Sequence, residues 1–505
     1  MLIDVDHLPP QTQIHADVII VGAGAAGLVL ARELCDAGLA VCLLESGGVD
    51  PEPAATDLSR GTGIIAGPDG VEIECNDYLH TSRARGLGGT LNLWGGKCGE
   101  LDPIDFERRD WIDGSGWPFA KLDLQPYYDR ACYRFGIPTV NGVRRRLEGE
   151  GACVKLNGER NFSTALRMFS GSTGTAAGEG LHRFKAQFAD DPSIRVYLHA
   201  TVTEIVPTND GGHVRYLTIA RADGATLTAH GHFLVLAAGG LENPRLLLAS
   251  TAADANGIGN ANDLVGRYFS GHGVLRAING THRPPATIAL APSLAASLPL
   301  YLLKDPEHPQ AVFAATRGLQ SREQLPGFAV TLEPVSDPLR PDATPVFFSI
   351  EQVPNSQSRV TLGDVRDALG SRRVHLQWRF ARQDVDALGR AIRVFALDLA
   401  KSGWGRLDYD PDDLRLTGAL ELARHHIGTT RMHADPRAGV VDPNCRVHGI
   451  DNMFIAGASV FPTSGIVNPT LTIAALAIRL ADHLREAWEA LPEKHRSNLA
   501  ETATN

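Results

Sequence analysis

The sequence predicts a two-lobed protein of the α/β (α+β) class, and three observations along the chain support this. A strand, a helix and a second strand occupy residues 17–45. From about residue 273 to 415 the composition shifts toward proline, glutamine, arginine and strand-forming residues. Glycine-rich α/β character then returns at residues 425–470. The first lobe is therefore expected to be discontinuous, with a second lobe inserted into it.

The strand–helix–strand unit is the strongest local signal. Asp17–Gly22 is a short β-branched apolar run, which is typical of a buried strand. Ala25–Ala37 carries helix formers at apolar spacing, and Val41–Glu45 predicts the next strand. Together they have the length of one right-handed βαβ unit.

Composition is that of an ordinary globular protein. Hydrophobic residues make up 43% and charged residues 21%, so a large core can form and global disorder is excluded. The formal net charge of −10 argues against nucleic acid as a partner. No C-x-x-C pair occurs among the seven cysteines, which argues against a disulfide scaffold or a metal site. With no signal peptide evident, we expect a cytoplasmic protein.

The turn between the first strand and the helix has the pattern G-x-G-x-x-G. Gly22 permits the tight turn, Gly24 lets backbone N–H groups approach a pyrophosphate, and Gly27 lets the helix pack closely on the strand. Glu45 ends the next strand, where a carboxylate accepts hydrogen bonds from an adenosine ribose and disfavours a 2′-phosphate. The motif predicts a Rossmann-type dinucleotide-binding domain; a purely structural glycine turn is the alternative.

Two further glycine-rich stretches favour FAD over NAD. One is FIAGASVFP near the C-terminus, and the other contains Gly86, Gly88, Gly89, Gly95 and Gly96. Three separate backbone approaches suit a long, enclosed cofactor better than one that exchanges at every turnover. We assign residues 1–100, 190–272 and 420–490 to the FAD-binding domain.

Residues 101–189 and 273–419 are assigned to a substrate-binding lobe and lid. The runs FAVTLEPV, VFFSIEQV, RVTL and RVHLQWRF predict an antiparallel sheet there. Prolines and serines interrupt the uncharged stretch Ala286–Leu303, so no transmembrane span is expected. We expect it to be buried, the alternative being an apolar rim that touches a membrane or a partner. Residues 491–505 are polar and predict a flexible tail.

Two C-terminal stretches carry residue types suited to alcohol oxidation. HHIGTTRM contains His425 and His426, and SGIVNPT contains Asn468, Pro469 and Thr470 before a helix predicted at about 469–491. Hydride transfer from an alcohol needs a base for the hydroxyl proton, which histidine provides near neutral pH. Asn468 would orient and polarise the hydroxyl. The separation of the two stretches in sequence does not by itself show contact.

Together these motifs resemble those of the glucose–methanol–choline (GMC) flavin oxidoreductases. The resemblance covers about residues 16–485 and rests on VIIVGAGAAGLVLARELCDAGLAVCLLESG, ARGLGGTLNLWGGK, LAAGGLENPRLLL, DLVGRYFSGH, HHIGTTRM and NMFIAGASVFPTSGIVNPTLTIAALAIRLADHL, in the family's order. It implies an FAD domain, a substrate lobe over the catalytic face of the flavin, and oxidation of a primary or secondary alcohol.

The resemblance also implies site residues. It places the family's histidine at His425 and its partner at Asn468, a pair similar to that of pyranose 2-oxidase, choline oxidase and the cholesterol oxidases. Trp94 adds a likeness to pyranose oxidases. Leu93 stands where those enzymes have a histidine bonded to the flavin, so FAD is expected to be noncovalent.

Further contacts are implied around the cofactor and the substrate. Cofactor contacts are expected at Arg85, Gly88, Gly89, Trp94, Val202, Gly457, Ala458, Asn468, Pro469 and Thr470. His426 is expected either to touch substrate or a neighbouring group, or to face away. Strand residues Gln352, Gln377 and Arg379 are candidate substrate contacts, although their alternation also fits any half-buried strand.

The sequence therefore predicts FAD-dependent oxidation of a ring hydroxyl of a sugar or glycoside to a ketone, with His425 as the base. Dioxygen or an acceptor such as a quinone would take the electrons, and the sequence does not decide between them. The alternatives are oxidation of a non-sugar alcohol, a hydroxynitrile-lyase-type enzyme with non-redox FAD, and a noncatalytic flavoprotein. A homo-oligomer and a small partner subunit are both compatible with the sequence.

Overall fold

Three β-sheets with helices packed on them make up the protein, in a computed structural model that describes residues 1–149, 160–169, 193–275, 286–290, 310–332, 343–409 and 420–492. The strands within these ranges are β1 Leu2–Asp4, β2 Gln13–Val21, β3 Val41–Leu44, β4 Gly61–Ala66, β5 Glu72–Glu74, β6 Lys97–Cys98, β7 Phe162–Phe169, β8 Ile194–Leu198, β9 Thr201–Pro207, β10 Val214–Ala220, β11 Thr226–Leu236, β12 His272–Leu275, β13 Ala286–Leu290, β14 Gln310–Ala315, β15 Phe328–Leu332, β16 Ala343–Glu351, β17 Arg359–Arg366, β18 Arg372–Arg379, β19 Gly405–Tyr409, β20 Leu420–Leu422 and β21 Met453–Ile455. The α-helices are α1 Ala25–Asp36, α2 Pro53–Asp57, α3 Asn76–Thr81, α4 Pro103–Phe106, α5 Lys121–Phe135, α6 Val140–Gly149, α7 Gly239–Ala249, α8 Arg317–Glu323, α9 Arg382–Lys401 and α10 Thr470–Glu489.

The first sheet has the order β1-β8-β3-β2-β11-β10-β9, and β21 pairs with the end of β11. Pairing is parallel from β1 to β11 and antiparallel through β10 and β9. Strand β2 is buried almost throughout because it lies between β3 and β11 and is covered on its faces. The C-terminal helix α10 packs beside α1. The predicted βαβ unit and closing helix are confirmed, and α1 ends one residue earlier than expected.

The second sheet is antiparallel, as the sequence predicts for the inserted lobe. Its order is β19-β13-β16-β15-β14-β7-β6, with β12 joining β16 to β20. Helix α9 covers it through Phe395, whose ring packs edge-on against Phe162 and Phe348. Strand β6 enters this sheet from the stretch that also carries the second glycine cluster.

The third sheet corrects an expectation. Strands β17 and β18, which contain RVTL and RVHLQWRF, do not join the second sheet. They form a four-stranded sheet with β4 and β5, in which β18 runs parallel to β4. Trp378 of β18 is fully buried there, with its ring 5.0 Å from that of Phe269 and 5.5 Å from that of Tyr78. The N-terminal segment and the inserted lobe therefore share a core.

Three other expectations can be compared with the structure. The alternation of RVYLHATVTEIV, residues 195–206, predicts a strand. The structure divides this stretch between β8 and β9, because His199 between them has a left-handed φ of 54°. Of Ala286–Leu303, residues 286–290 form β13 between β16 and β19, and the rest lies outside the described residues. The helices of the described ranges include none that could span a membrane. The domain boundaries stay predictions, and most of the proposed tail lies outside the described residues.

Candidate active site

A cavity of about 710 Å³ lies where the carboxyl ends of β2, β3 and β11 face the second sheet. Most residues singled out from the sequence line it. They are Gly22, Gly24, Glu45, Arg85, Gly89, Trp94, Val202, His425, His426, Gly457, Ala458, Asn468, Pro469 and Thr470. A crevice at the carboxyl ends of parallel strands is where ligands bind in folds of this type.

The three fingerprint glycines have the geometries that a dinucleotide site requires. Gly22 turns with a φ of 104°, and a Cβ there would lie 2.7 Å from the carbonyl oxygen of Ala237. A Cβ on Gly27 would overlap the carbonyl oxygen of Gly22. Around Gly24, which caps α1 and lines the cavity, no described atom lies within 4 Å of a built Cβ. That space is open to a ligand at the positive end of the helix.

The carboxylate of Glu45 joins the fingerprint to the second glycine cluster. Its Oε2 accepts a hydrogen bond from the amide of Ala23 at 2.9 Å. Its Oε1 accepts from the amides of Gly47 at 3.1 Å and Gly86 at 2.9 Å. A carboxylate has further acceptor capacity, so a ribose hydroxyl can still donate to it.

This donor set fits FAD. The open position at Gly24, the end of α1, the carboxylate of Glu45 and the C-terminal glycine Gly457, with a φ of 115°, all border one cavity. The cavity volume lies in the range of cofactor sites.

Backbone hydrogen bonds bring the two C-terminal stretches together. The amides of Gly428, Thr430 and Met432 donate to the carbonyls of Ala458, Ser459 and Val460 at 3.2, 2.8 and 2.8 Å. Gly428 has a φ of 87°, which positions this segment beside Tyr268. HHIGTTRM therefore lies along the FIAGASVF stretch.

His425 and Asn468 are in contact, although the sequence places them far apart. His425 follows the short strand β20, and Asn468 lies just before α10. The amide nitrogen Nδ2 of Asn468 lies 3.2 Å from Nε2 of His425. An amide N–H donates to an imidazole nitrogen that carries no proton, so this arrangement suits a neutral histidine.

A buried ion cluster supports the loop that leads to Asn468. Arg109 donates to both carboxylate oxygens of Glu351, at 2.6 and 2.8 Å. Glu351 also accepts from the amide of Gly465 at 3.4 Å. Gly465 has a φ of 56°, and a Cβ there would meet Leu101 and Asp105. The contacts with Glu351, Leu101 and Asp105 therefore fix the position of the loop that contains Gly465.

His426 points away from Asn468 and packs on the other side of the segment. Its Nε2 lies 2.9 Å from the hydroxyl of Ser82, and the ring of Tyr78 meets it edge-on at 5.5 Å. Burial, together with the nearby positive charge of Arg83, lowers the pKa of His426 to about 3. His426 is therefore neutral at physiological pH, although it still borders the cavity.

Five predicted residues do not line the cavity. Gly27 packs inside the βα turn, and Gly88 donates its amide to the carbonyl of Ala23 at 2.9 Å. Gln352 accepts from the indole of Trp378 and donates to the carbonyl of Arg379, both at 2.8 Å.

The expectation that the strand residues would face the substrate cavity is thus not met. The amide of Gln352 is used within the core. Gln377 and Arg379 lie on the face of β18 opposite Trp378, since side chains alternate along a strand.

Sequence reasoning missed two groups of cavity residues. Thr331, Phe347 and Ser349 reach it from β15 and β16 of the second sheet. Phe347 and Ser349 share one face of their strand, but this could not be assigned to the cavity before the sheet was known. Arg83, Glu242 and Arg245 form the second group. The i,i+3 spacing of Glu242 and Arg245 in a predicted helix was the available signal.

Comparison with known proteins agrees with this geometry. A family model described as FAD dependent oxidoreductase matches residues 17–256, which contain the glycine fingerprint. One described as GMC oxidoreductase matches residues 354–477, which contain both His425 and Asn468. The chain is similar to the GMC oxidoreductases and is an FAD-dependent oxidoreductase that acts on CH–OH groups. The resemblance and the fold class predicted from the sequence are confirmed.

Relatives match along nearly the whole chain. The 6‴-hydroxyparomomycin C oxidase of Streptomyces lividus is 26% identical over 95% of this chain and 94% of its own. The C-glycoside 3-oxidase of Microbacterium trichothecenolyticum is 25% identical over 94% of this chain and 97% of its own. A solved structure of formate oxidase from Aspergillus oryzae has a TM-score of 0.62 at 16% identity, covering 95% of this chain and 99% of the other. The last comparison shows a shared fold.

Proposed function

We propose that the protein oxidises a secondary ring hydroxyl of a sugar or glycoside to a ketone, with His425 as the base. The observation that carries the proposal is the 3.2 Å contact between His425 Nε2 and Asn468 Nδ2 at the wall of the cavity. Related proteins named as a C-glycoside 3-oxidase and a 6‴-hydroxyparomomycin C oxidase support the substrate class.

The two side chains divide the work on the substrate hydroxyl. When the substrate binds, its hydroxyl takes the place of the Asn468 N–H at Nε2 of His425, and Nε2 accepts the hydroxyl proton as the C–H bond breaks. The amide of Asn468 donates to the substrate oxygen and keeps it oriented. FAD, held at Gly24, Glu45 and Gly457, would supply the hydride acceptor, and dioxygen or an acceptor of the quinone type would then take the two electrons.

The second sheet provides the opposite wall. Thr331 and Ser349 offer hydroxyls, while Phe347 offers an aromatic face. Hydroxyls exchange hydrogen bonds with a sugar, and an aromatic ring packs on its C–H face. These residues take the role that the sequence assigned to Gln352, Gln377 and Arg379.

FAD is held noncovalently in this proposal. Leu93 borders the cavity, and the family resemblance aligns it with the histidine that is bonded to the flavin in pyranose oxidases. The side chain of Leu93 has no nucleophile. Acid denaturation of the purified protein is expected to release all flavin into the supernatant. Flavin that stays with the precipitated chain would contradict noncovalent binding.

A substrate panel tests the reaction. The purified yellow protein is mixed anaerobically with pyranoses, O- and C-glycosides, aliphatic alcohols and a sterol, and the visible flavin band is followed. We expect bleaching by a sugar or glycoside and a ring ketone as the product. Bleaching by a non-sugar alcohol alone would overturn the substrate class, and cyanohydrin cleavage without bleaching would indicate a lyase. Reoxidation by dioxygen or by a quinone then identifies the acceptor.

The His425→Ala variant tests the base. General-base catalysis contributes about a hundred- to ten-thousandfold, so the rate of flavin reduction should fall by that order while FAD stays bound. His213→Ala changes an exposed histidine outside the cavity and should leave the rate unchanged. An undiminished rate in His425→Ala would remove His425 from this role.

A further inference from the structure

Three arginines surround one glutamate in the cavity wall. Glu242 of α7 contacts Arg83 through Oε1 at 2.5 Å, Arg85 through Oε1 at 3.1 Å and Arg245 through Oε2 at 2.5 Å. The side chain of each is at least 89% buried, since none exposes more than 11% of its surface. All four residues line the cavity.

The cluster carries an excess of positive charge. Burial raises the pKa of Glu242, but the three guanidinium groups outweigh this and hold the pKa well below its ordinary value. Burial lowers the pKa of Arg83 to about 10, so it remains charged at neutral pH. Two carboxylates thus act on three guanidinium groups, because Asp367 as well as Glu242 interacts with Arg245, inside a protein of net charge −10. Such a wall favours a ligand with acceptor atoms.

The donors of the three arginines are not equally occupied. Arg85 donates to the hydroxyls of Ser59 and Ser46, both at 2.9 Å, and Arg83 donates to the carbonyls of Leu79 and Ser59, both at 2.7 Å.

The guanidinium of Arg245 makes fewer hydrogen bonds than those of Arg83 and Arg85. Its Nε donates to Glu242, whereas its Nη1 is buried without a hydrogen-bond partner among the described residues. Its side chain is only 5% exposed. The guanidinium of Arg245 therefore has donor capacity that Glu242 does not use, and the residue lines the cavity.

Arg245 lies further from the segment of His425 and His426 than the start of helix α7 does. Helix α7 begins against His426, because a Cβ on Gly240 would overlap the carbonyl of His426. Five residues further on, Arg245 lies about 7.5 Å along the helix axis. At its other end, Ser250 accepts a hydrogen bond from the amide of Ile205 in β9 at 2.9 Å.

Arg245 therefore lies toward the β9 end of the wall. Thr201 and Val202 of β9 line the cavity with it, and Arg85 connects the cluster to Ser46, next to Glu45. Of these residues, Glu45 is predicted to bind the adenosine ribose, and the family resemblance implies that Val202 contacts the adenine.

We infer that Arg245, held by Glu242, is a cofactor-binding residue whose guanidinium donates a hydrogen bond to an acceptor atom of the adenosine half of FAD. The assignment rests on FAD as the cofactor of the proposed function and extends the site beyond the glycine motifs. Glu242 acts as the counter-ion that orients the guanidinium, and Arg83 and Arg85 keep Glu242 in place.

Binding of FAD and FMN to the full-length apoprotein tests the inference, because FMN lacks the adenosine half. Arg245→Met keeps the length and removes every donor. A hydrogen bond from a charged donor is worth about tenfold or more in affinity, so the Kd for FAD should rise by at least that factor while the Kd for FMN stays the same. Flavin fluorescence on titration gives both constants, and recovery of the full FAD content by wild-type apoprotein checks the preparation.

Two more variants keep the test decisive. Arg245→Lys retains a charge opposite Glu242 but offers no guanidinium fork, so it should also lose affinity for FAD alone; this variant covers the case in which Arg245→Met does not fold. Arg479→Met is the matched control, since Arg479 donates to Pro443 and Asn444 outside the cavity.

An unchanged Kd for FAD, or equal rises for FAD and FMN, would overturn the inference and leave Arg245 a structural residue. A wild-type protein that binds FAD but is reduced by no alcohol would instead count against the proposed function and leave the Arg245 assignment standing.

Discussion

The contact between Asn468 and His425 decides, at the scale of single residues, which form of the imidazole the site favours. An uncharged amide that donates to Nε2 favours the neutral ring. Asn468→Asp would place a carboxylate there, which favours the imidazolium. We expect the acid limb of kcat/KM to move to higher pH by about one unit or more, measured with the best substrate of the panel. Asn468→Ala should lower the rate without that movement; an unmoved limb in Asn468→Asp would contradict the contact.

The lowered pKa of His426 leads to a prediction about how the stability of the folded protein depends on pH. Burial and Arg83 lower the pKa of His426 in the folded protein to about 3, whereas an unfolded chain has a histidine pKa of about 6.5. Between these values the unfolded chain binds a proton that the folded protein does not, so the residue destabilises the fold as pH drops below about 6.5. His426→Gln should therefore flatten the fall of Tm between about pH 7 and pH 5. The exposed variant His7→Gln should leave the slope as it is, and equal slopes in wild type and His426→Gln would contradict the shift.

At the scale of elements, the βα turn separates two roles of glycine. Gly27→Ala brings a Cβ onto the carbonyl of Gly22, so α1 must move off β2, and overpacking of this kind costs about 1–3 kcal/mol. Gly24→Ala meets no described atom within 4 Å and instead fills space in the cavity.

We expect Gly27→Ala to lower the Tm of the apoprotein, and Gly24→Ala to leave that Tm unchanged while lowering FAD content. Gly389→Ala in α9 is the control, because its Cβ would make an ordinary contact with the flexible end of Arg393. Thermal unfolding and flavin absorbance distinguish the cases. Equal loss of FAD at equal stability in both variants would show that the two glycines share one role.

The elements also show how far sequence reasoning reaches. The βαβ unit and α10 could be predicted because period and turn glycines are local properties. The pairing of β18 with β4 could not, since its alternation fits any half-buried strand and its partner lies about three hundred residues away in the chain. His199 looks like an ordinary strand residue until its backbone conformation is known.

The same division holds within the site. Short motifs contain Gly22 and Gly24 of the glycine fingerprint as well as His425 and Asn468, and these four residues line the cavity. Gln352 was misplaced because a polar side chain on a strand satisfies a buried indole as readily as a ligand. Arg245 was overlooked because its significance depends on the cavity that it lines and on the arginines that share Glu242 with it, which only the three-dimensional structure shows.

For the whole molecule, the third sheet makes the two lobes dependent on each other. β4 comes from the N-terminal segment, whereas its parallel partner β18 and the buried Trp378 come from the inserted lobe. Replacing residues 273–419 by a short linker should therefore not leave an independent FAD-binding domain, because β4 loses its partner and Phe269 and Tyr78 lose the indole.

Solubility, circular dichroism and flavin content of the shortened chain measure this outcome. We expect an insoluble or FAD-free product. A soluble yellow fragment would show that the inserted lobe is dispensable for the nucleotide site. The full chain expressed alongside is the reference for both readings.

The bare backbone of Gly240 against His426 has one more consequence. Helix α7 touches the histidine segment at its first turn and, through Arg245, faces the cofactor compartment near its far end. Thr429 also binds the first turn of α7, because its hydroxyl donates a hydrogen bond to the carbonyl of Gly240 at 2.7 Å. No side chain separates helix α7 from the segment of His425 and His426. A bound coenzyme that fixes the position of α7 therefore also fixes the neighbouring imidazole of His425. We expect coenzyme binding and positioning of the base to be coupled.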